Sequence, residues 1–237
     1  MIDLANVDFS LDMSPLGDQA LAAAATQLFE IWDRRLDAQL PVEDYSLYLE
    51  LTEGSLKGRG KVAATVAAVY LGIGQFGSFV SGVREMARFA RDGGAILVEE
   101  AQVRFGHQSI SQIRSRKNAG RLGQLESLFA KVQRRELEPA DAAEQAEHLF
   151  PPDEEMPPGF IDSLRAAIFA TPRNPVQLEM PFDDLPMDVI SERPPIRSAP
   201  ERNRQRPVSP LPPPPLFRVE IRRESKRGVR SINVERL

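Results

Sequence analysis

Between Lys61 and Arg84 the chain carries no charge: Val62–Val83, VAATVAAVYLGIGQFGSFVSGV, is uncharged over 22 positions. As a helix it has about the length that crosses a bilayer core. Lys57, Arg59 and Lys61 precede it and Arg84, Arg88 and Arg91 follow, so the flanking charge assigns no orientation. The run is rich in Ala and Gly rather than Leu and Ile, and its first positions can finish a preceding strand. In one continuous helix Gly74, Ser78 and Gly82 recur every four residues. With Gly77 they form a ridge of small residues that lets a second backbone come close, in a membrane or in soluble packing. Gln75, Ser78 and Glu85 add a polar stripe unsuited to lipid. The run predicts a tightly packed helix that meets another surface, with membrane insertion as the competing expectation.

The segments before it alternate between apolar and polar residues. Val7–Met13 and Tyr45–Thr52 have the pattern of half-buried strands. Ser14-Pro15 reads as a helix start, Ser14 capping and Pro15 in the first turn. Leu16–Leu36 then carries Leu21, Leu28, Ile31, Trp32 and Leu36 near one face, with Trp32 as a core residue. Glu53-Gly54-Ser55 reads as a turn, and a second hairpin strand starts at Leu56. Residues 1–61 are therefore expected to form a β-α-β-β unit.

Residues 62–170 are expected to be largely helical. Asp92-Gly93-Gly94 should end the uncharged unit, and Ala95–Phe105 fits either a strand or a helix. Ser111–Arg135 and Glu138–Phe150 read as a helical hairpin stopped by Pro151-Pro152. Phe160–Phe169 permits one more short helix.

From Thr171 to Pro215 proline, arginine and acidic residues dominate, which predicts a largely disordered linker. Pro212–Pro215 suits polyproline II, and Pro207-Val-Ser-Pro210 fits a P-x-x-P ligand pattern. Leu216–Glu224 and Val229–Val234 alternate about a turn at Ser225–Gly228. They read as a terminal hairpin, or as a strand added to a sheet edge of this or another protein. The overall charge of −4 hides a segregation: from Glu192 onward there are 12 Arg and Lys against 5 Asp and Glu, leaving 18 against 29 before it. An acidic body with a basic tail suits self-association or recruitment of an anionic partner, with Arg218, Arg222 and Arg223 supplying the charge.

Catalytic motifs are weak. Gly72-Ile-Gly74-Gln-Phe-Gly77 matches G-x-G-x-x-G, but that fingerprint works only where a strand feeds glycines into a helix N-terminus that holds pyrophosphate. Gly54–Lys61 resembles a phosphate-binding loop, yet the spacing is one residue too long and Val62 stands where a metal-binding hydroxyl is needed. A hairpin turn with a basic surface accounts for it. His107 and His148 have no carboxylate or second histidine at ligand spacing. Glu99-Glu100 and Asp153-Glu154-Glu155 are adjacent carboxylates, whose neighbours point apart. The absence of cysteine excludes disulfides, thiolate metal sites and thiol nucleophiles, and suits a reducing compartment. The acidic N-terminus lacks the features of a secretory signal.

Taken in order, the Glu53-Gly54-Ser55-Leu56 hairpin, the Gly-rich run Gly72–Gly82 and the charged stretch Arg116-Lys117-Asn118-Ala119-Gly120-Arg121-Leu122 resemble a known arrangement. It is similar to small bacterial proteins of unassigned function that carry a "GSL"-type hairpin before a glycine-rich apolar helix. The resemblance covers residues 45–150. It implies a bacterial source, an α+β N-terminal unit and membrane association of the helical segment, but no catalytic residue.

The expectation is an α+β, non-enzymatic interaction or oligomerising protein of the cytoplasm, at the inner membrane if residues 62–83 insert. Gly74, Gly77, Ser78 and Gly82 would pack helices, and the basic tail of residues 216–237 would recruit a protein partner or a second copy. No cofactor or metal is expected. The alternatives are a nucleotide-binding enzyme using Gly72–Gly77 and a nucleic-acid-associated protein using the basic tail with the Arg and Lys of 114–135.

Overall fold

The computed structural model describes residues 1–106, 114–150, 156–174 and 216–237. The linker at 175–215 with its polyproline and P-x-x-P stretches, His107, Pro151-Pro152 and the carboxylates at 153–155 lie outside the described residues.

Period-two alternation over β1 (Ile2–Leu11), β2 (Ser46–Thr52) and β3 (Leu56–Ala64) builds an antiparallel core with β3 between the other two. β4 (Arg114–Asn118) pairs with the far side of β1. The terminal hairpin, β5 (Phe217–Arg223) and β6 (Arg230–Arg236), pairs with the far side of β2. The result is one six-stranded antiparallel sheet in the order β4-β1-β3-β2-β5-β6. One face is apolar and buried: Val7 and Phe9, Leu47 and Leu49, Val62, Val219 and Ile221 all point into it.

Gly58 and Gly60 lie on that face, where they make room for larger neighbours. A Cβ on Gly58 would sit 2.0 Å from the Phe9 ring, and one on Gly60 would sit 2.2 Å from Leu97 and 3.2 Å from Trp32. Of the glycines in the stretch read as a basic hairpin turn, Gly54 lies in the turn itself and Gly58 and Gly60 are strand residues. The alternating Lys57, Arg59 and Lys61 face the other way.

Helices cover the apolar face. α1 (Asp18–Gln39) lies over β2 and β5, and α3 (Phe79–Phe105) over β1, β3 and β4. α4 (Gly120–Gln133) packs on β1 and α3, while α5 (Pro139–His148) and α6 (Phe160–Phe169) extend this layer outward. Trp32 is fully buried, as expected, and its indole N–H donates to the Gly93 carbonyl at 2.9 Å.

The uncharged run is not one rod. Val62–Ala64 complete β3, and α2 (Val66–Gly74) and α3 follow with a bend of 115° between them. Hydroxyl caps set both starts: Thr65 accepts from Ala68 N–H and Ser78 accepts from Ser81 N–H. Gly77 at φ 53° turns the chain between the helices. The uncharged side chains fill the protein's own interior, Val66, Val69 and Ile73 from α2 and Val83 from α3, where Met86 and Ala87 continue the buried face. Tyr70 and Phe79 join Phe150 and Phe160 in an aromatic cluster, with the Tyr70 and Phe160 centroids 5.5 Å apart and the Phe150 and Phe160 centroids 4.9 Å apart. Among the described residues no single helix is long and apolar enough to cross a membrane.

Other expectations are corrected too. α3 runs straight through Gly93-Gly94, and glycine stands at 93 because a side chain there would strike Leu36 of α1 at 2.4 Å. Ala95–Phe105 is helix. The expected helical hairpin over 111–150 is preceded by a strand, since Arg114–Asn118 pairs with β1 before α4 begins. Ser14 does not cap α1. The N-cap is Gly17, and the carboxylate of Glu53 in the β2–β3 turn accepts from the Leu16 and Gly17 N–H groups at 2.8 and 2.7 Å. Boundaries at 61/62 and 170/171 fall inside a single packed unit that includes the terminal hairpin.

Candidate functional site

The four small residues expected to pack helices do not form a ridge. A side chain at Gly74 or Gly77 would meet nothing within 4 Å, and Ser78 is the cap of α3. Gly82 does serve close packing, but inside the chain: its Cβ would lie 2.5 Å from the Ile73 carbonyl of α2. The G-x-G-x-x-G stretch is fed by a helix and not by a strand, so the backbone cradle that the dinucleotide fingerprint requires is not built. His148 is exposed at the end of α5, 4.0 Å from Glu144.

The basic residues of the terminal hairpin divide between two faces. Arg223 follows Val219 and Ile221 inward and is buried; its Nη1 meets Asp33 of α1 at 2.7 Å. Arg223 is therefore held in an ion pair inside the chain. Asp33 Oδ1, Tyr45 Oη and Arg223 Nε and Nη2 beside this pair are buried with no hydrogen-bond partner among the described residues. Burial pushes the Tyr45 phenol up to about 12, with the nearby Arg223 pulling the other way. Around the pair, Arg230 bridges Glu30 at 3.1 Å and Asp33 at 3.5 Å, and Lys226 reaches Asp37 at 2.6 Å. Much of the tail's positive charge is thus answered by acidic residues of α1 in the same chain.

Arg218 and Arg222 point to the opposite, uncovered face of the sheet. Strand register arranges this face in rows. The first row runs Arg114, Ser10, Lys57, Thr52, Arg218 from β4 to β5. The second runs Arg116, Asp8, Arg59, Glu50, Glu220. The third includes Asn6, Lys61, Tyr48 and Arg222. The first two rows border an open groove of about 590 Å³. On its lining Arg59 bonds Asp8 at 3.1 Å, and Glu50 accepts the hydroxyl of Tyr48, in the third row, at 2.8 Å. Burial and the Glu50 carboxylate together hold the Tyr48 phenol above its usual range. Lys57, Arg114 and Arg116 are exposed, with no ion-pair partner among the described residues.

The sheet's last strand is a second candidate surface. Every residue of β6 is exposed. Ile232 and Val234 face the helix side beside Ile221 and Val219, but the helix layer does not cover them: they are 51% and 45% exposed, against 1% and 0% for their β5 neighbours. Val229 and Leu237 at the two ends of the strand are exposed as well.

Sequence reasoning missed Asp33 and Glu53. Asp33 sits among the buried residues of α1, so a carboxylate beside that apolar stripe was a signal for an inward cation. The Val219-x-Ile221-x-Arg223 alternation was the matching signal on β5. Glu53 had none, because its three backbone partners, Leu16, Gly17 and Phe217, are distant in sequence. Comparison with protein-family models, curated proteins and solved structures finds no match for the chain.

Proposed function

We propose that this is a non-enzymatic interaction protein that assembles with a second copy of itself through β6. The observation that carries the reading is the apolar pair Ile232 and Val234, exposed on an edge strand whose paired neighbours are buried. An edge strand offers unpaired N–H and C=O groups to another strand, and the sequence of β6 is self-complementary for this. In an antiparallel pair centred on Asn233, Ile232 faces Val234 of the second copy and Val234 faces its Ile232, extending the apolar face across the junction. Asn233 meets its own copy on the open face, where side-chain amides can bond. Arg230 would oppose Arg236 of the second copy, but Glu30 and Asp33 already flank the Arg230 guanidinium. No proline interrupts the strand.

Light scattering of the full chain across a concentration range tests this. Twice the chain mass is expected at micromolar concentration. Val234→Lys places a charge in the apolar junction and should return the protein to single-chain mass, whereas Ser115→Lys on the opposite edge should leave the dimer intact. Single-chain mass at every concentration, or an unchanged dimer in Val234→Lys and Ile232→Lys, would refute the reading.

A further inference from the structure

We infer that the row Arg114, Ser10, Lys57, Thr52, Arg218 on the uncovered face binds the phosphodiester backbone of a single-stranded nucleic acid laid across the strands. The row alternates cation and hydroxyl, and Arg, Lys, Ser and Thr are the side chains that contact phosphate oxygens. With strands about 4.8 Å apart, the cations recur about every 10 Å and the row spans about 19 Å. It contains no carboxylate between β4 and β5. Lys57 and Arg114 are not neutralised within the described residues, and Arg218 is held only loosely, 3.7 Å from both Glu50 and Glu235.

The neighbouring rows explain why one strand is bound and not two. The second row balances Arg116 and Arg59 against Asp8, Glu50 and Glu220. In the third, Lys61 pairs with Asp3 at 2.7 Å and Arg222 stacks 5.5 Å from the Tyr48 ring centre. A single row of cations with no carboxylate between them follows a single phosphate chain, whereas a duplex presents two. Tyr48 is the one aromatic of the three rows and Arg222 already covers it, so base stacking adds little and sequence preference is weak. The site lies on the sheet's open face, away from the apolar side of β6, and works in one copy or two.

The test titrates the full chain into a fluorescent deoxythymidine oligomer of about 20 nucleotides at rising salt. With about three phosphates neutralised, log K should fall against log salt with a slope of about −2. Lys57→Ser and Arg114→Ser should each weaken binding about 5- to 10-fold at low salt and flatten the slope by about 0.7, with unchanged melting temperature. Arg227→Ser, on the β5–β6 turn, should change neither. Absent binding at low salt would overturn the proposal, as would row variants that bind like the parent. Equal affinity for a duplex of the same length would overturn it too, and so would poly-glutamate competing as well as unlabelled oligomer.

Discussion

β4 and β6 close the same sheet at opposite ends, and their edges are made differently. β4 has five residues, RSRKN, none of them apolar, and α3 reaches over it. An antiparallel self-pair of β4 about Arg116 sets that arginine against its copy, and one about Ser115 sets Arg114 against Arg116. β6 has seven residues, keeps Ile232 and Val234 exposed on the helix side beyond the reach of the helix layer and places its arginines at the ends. Short length and dense like charge are the ordinary means of blunting an edge. Their presence at β4 and absence at β6 separate a closed edge from one available for joining.

The hairpin that carries β6 is also fastened differently, through charges buried against α1 and the β2–β3 turn. Cutting that fastening should produce the largest effect. Arg223→Met leaves Asp33 buried with only Arg230 at 3.5 Å, and should cost about 3 kcal/mol in chemical denaturation. Hydrogen exchange should speed up in β5 and β6 while β4 and β1 stay protected. The double change Asp33→Leu with Arg223→Met should recover most of the loss, since no unpaired buried charge remains. Equal loosening at both edges would show that the fastening is not local.

The same corner should make the hairpin sensitive to alkali. The Tyr45 phenol lies beneath Arg223, with the guanidinium 5.1 Å from its ring centre, and burial pushes it up to about 12 from an unfolded value near 10. Between those values the unfolded chain has lost the proton and the folded chain retains it. The contribution of Tyr45 to stability is therefore constant below pH 10 and is lost as pH rises to 12, by about 2–3 kcal/mol in all. Tyr45→Phe should remove that slope and change stability little at neutral pH, because among the described residues the hydroxyl it deletes makes no hydrogen bond of good geometry and has only the Arg223 guanidinium close by. An unchanged slope would place the alkaline loss elsewhere.

Glu53 gives a smaller effect at the other end of the hairpin. Its Oε1 accepts from Leu16 and Gly17 N–H and its Oε2 from Phe217 N–H at 3.2 Å, joining the start of α1 to the start of β5. Glu53→Gln keeps one acceptor and turns an amide towards the other side, so about 1–2 kcal/mol should be lost. Pairing of Phe217 should weaken before that of β4.

The strands were legible in the sequence because alternation survives even where glycine replaces a side chain, and Trp32 was legible as core from its place on the apolar stripe of α1. The α+β class followed from these. The uncharged run was misread because length and composition describe a rod as well as a folded-back pair. The capping patterns Thr65-x-x-Ala68 and Ser78-x-x-Ser81 marked its division, and they weigh little against 22 uncharged positions. β4 was missed since five polar residues have no apolar period. They become a strand only because β1 offers an edge. The open-face rows could not be read at all, because a row is a property of register between strands and no one segment contains it.

The smallest stability change should come from exchanging the character of the two edges. Ile232→Thr with Val234→Thr keeps β-branched side chains on β6 and removes most of the apolar area, so one chain's melting should move by an amount worth about 0.5 kcal/mol at most. Assembly should nevertheless disappear, since that area is the part of the strand a second copy would cover. The reciprocal change, Ser115→Ile, adds an apolar side chain to β4 without removing Arg114 and Arg116. Mass should stay as in the parent, because the self-pairings about Ser115 and Arg116 still set arginine against arginine. If Ser115→Ile alone created a larger assembly, apolar area and not charge would decide which edge is open, and the contrast between β4 and β6 would rest on one residue.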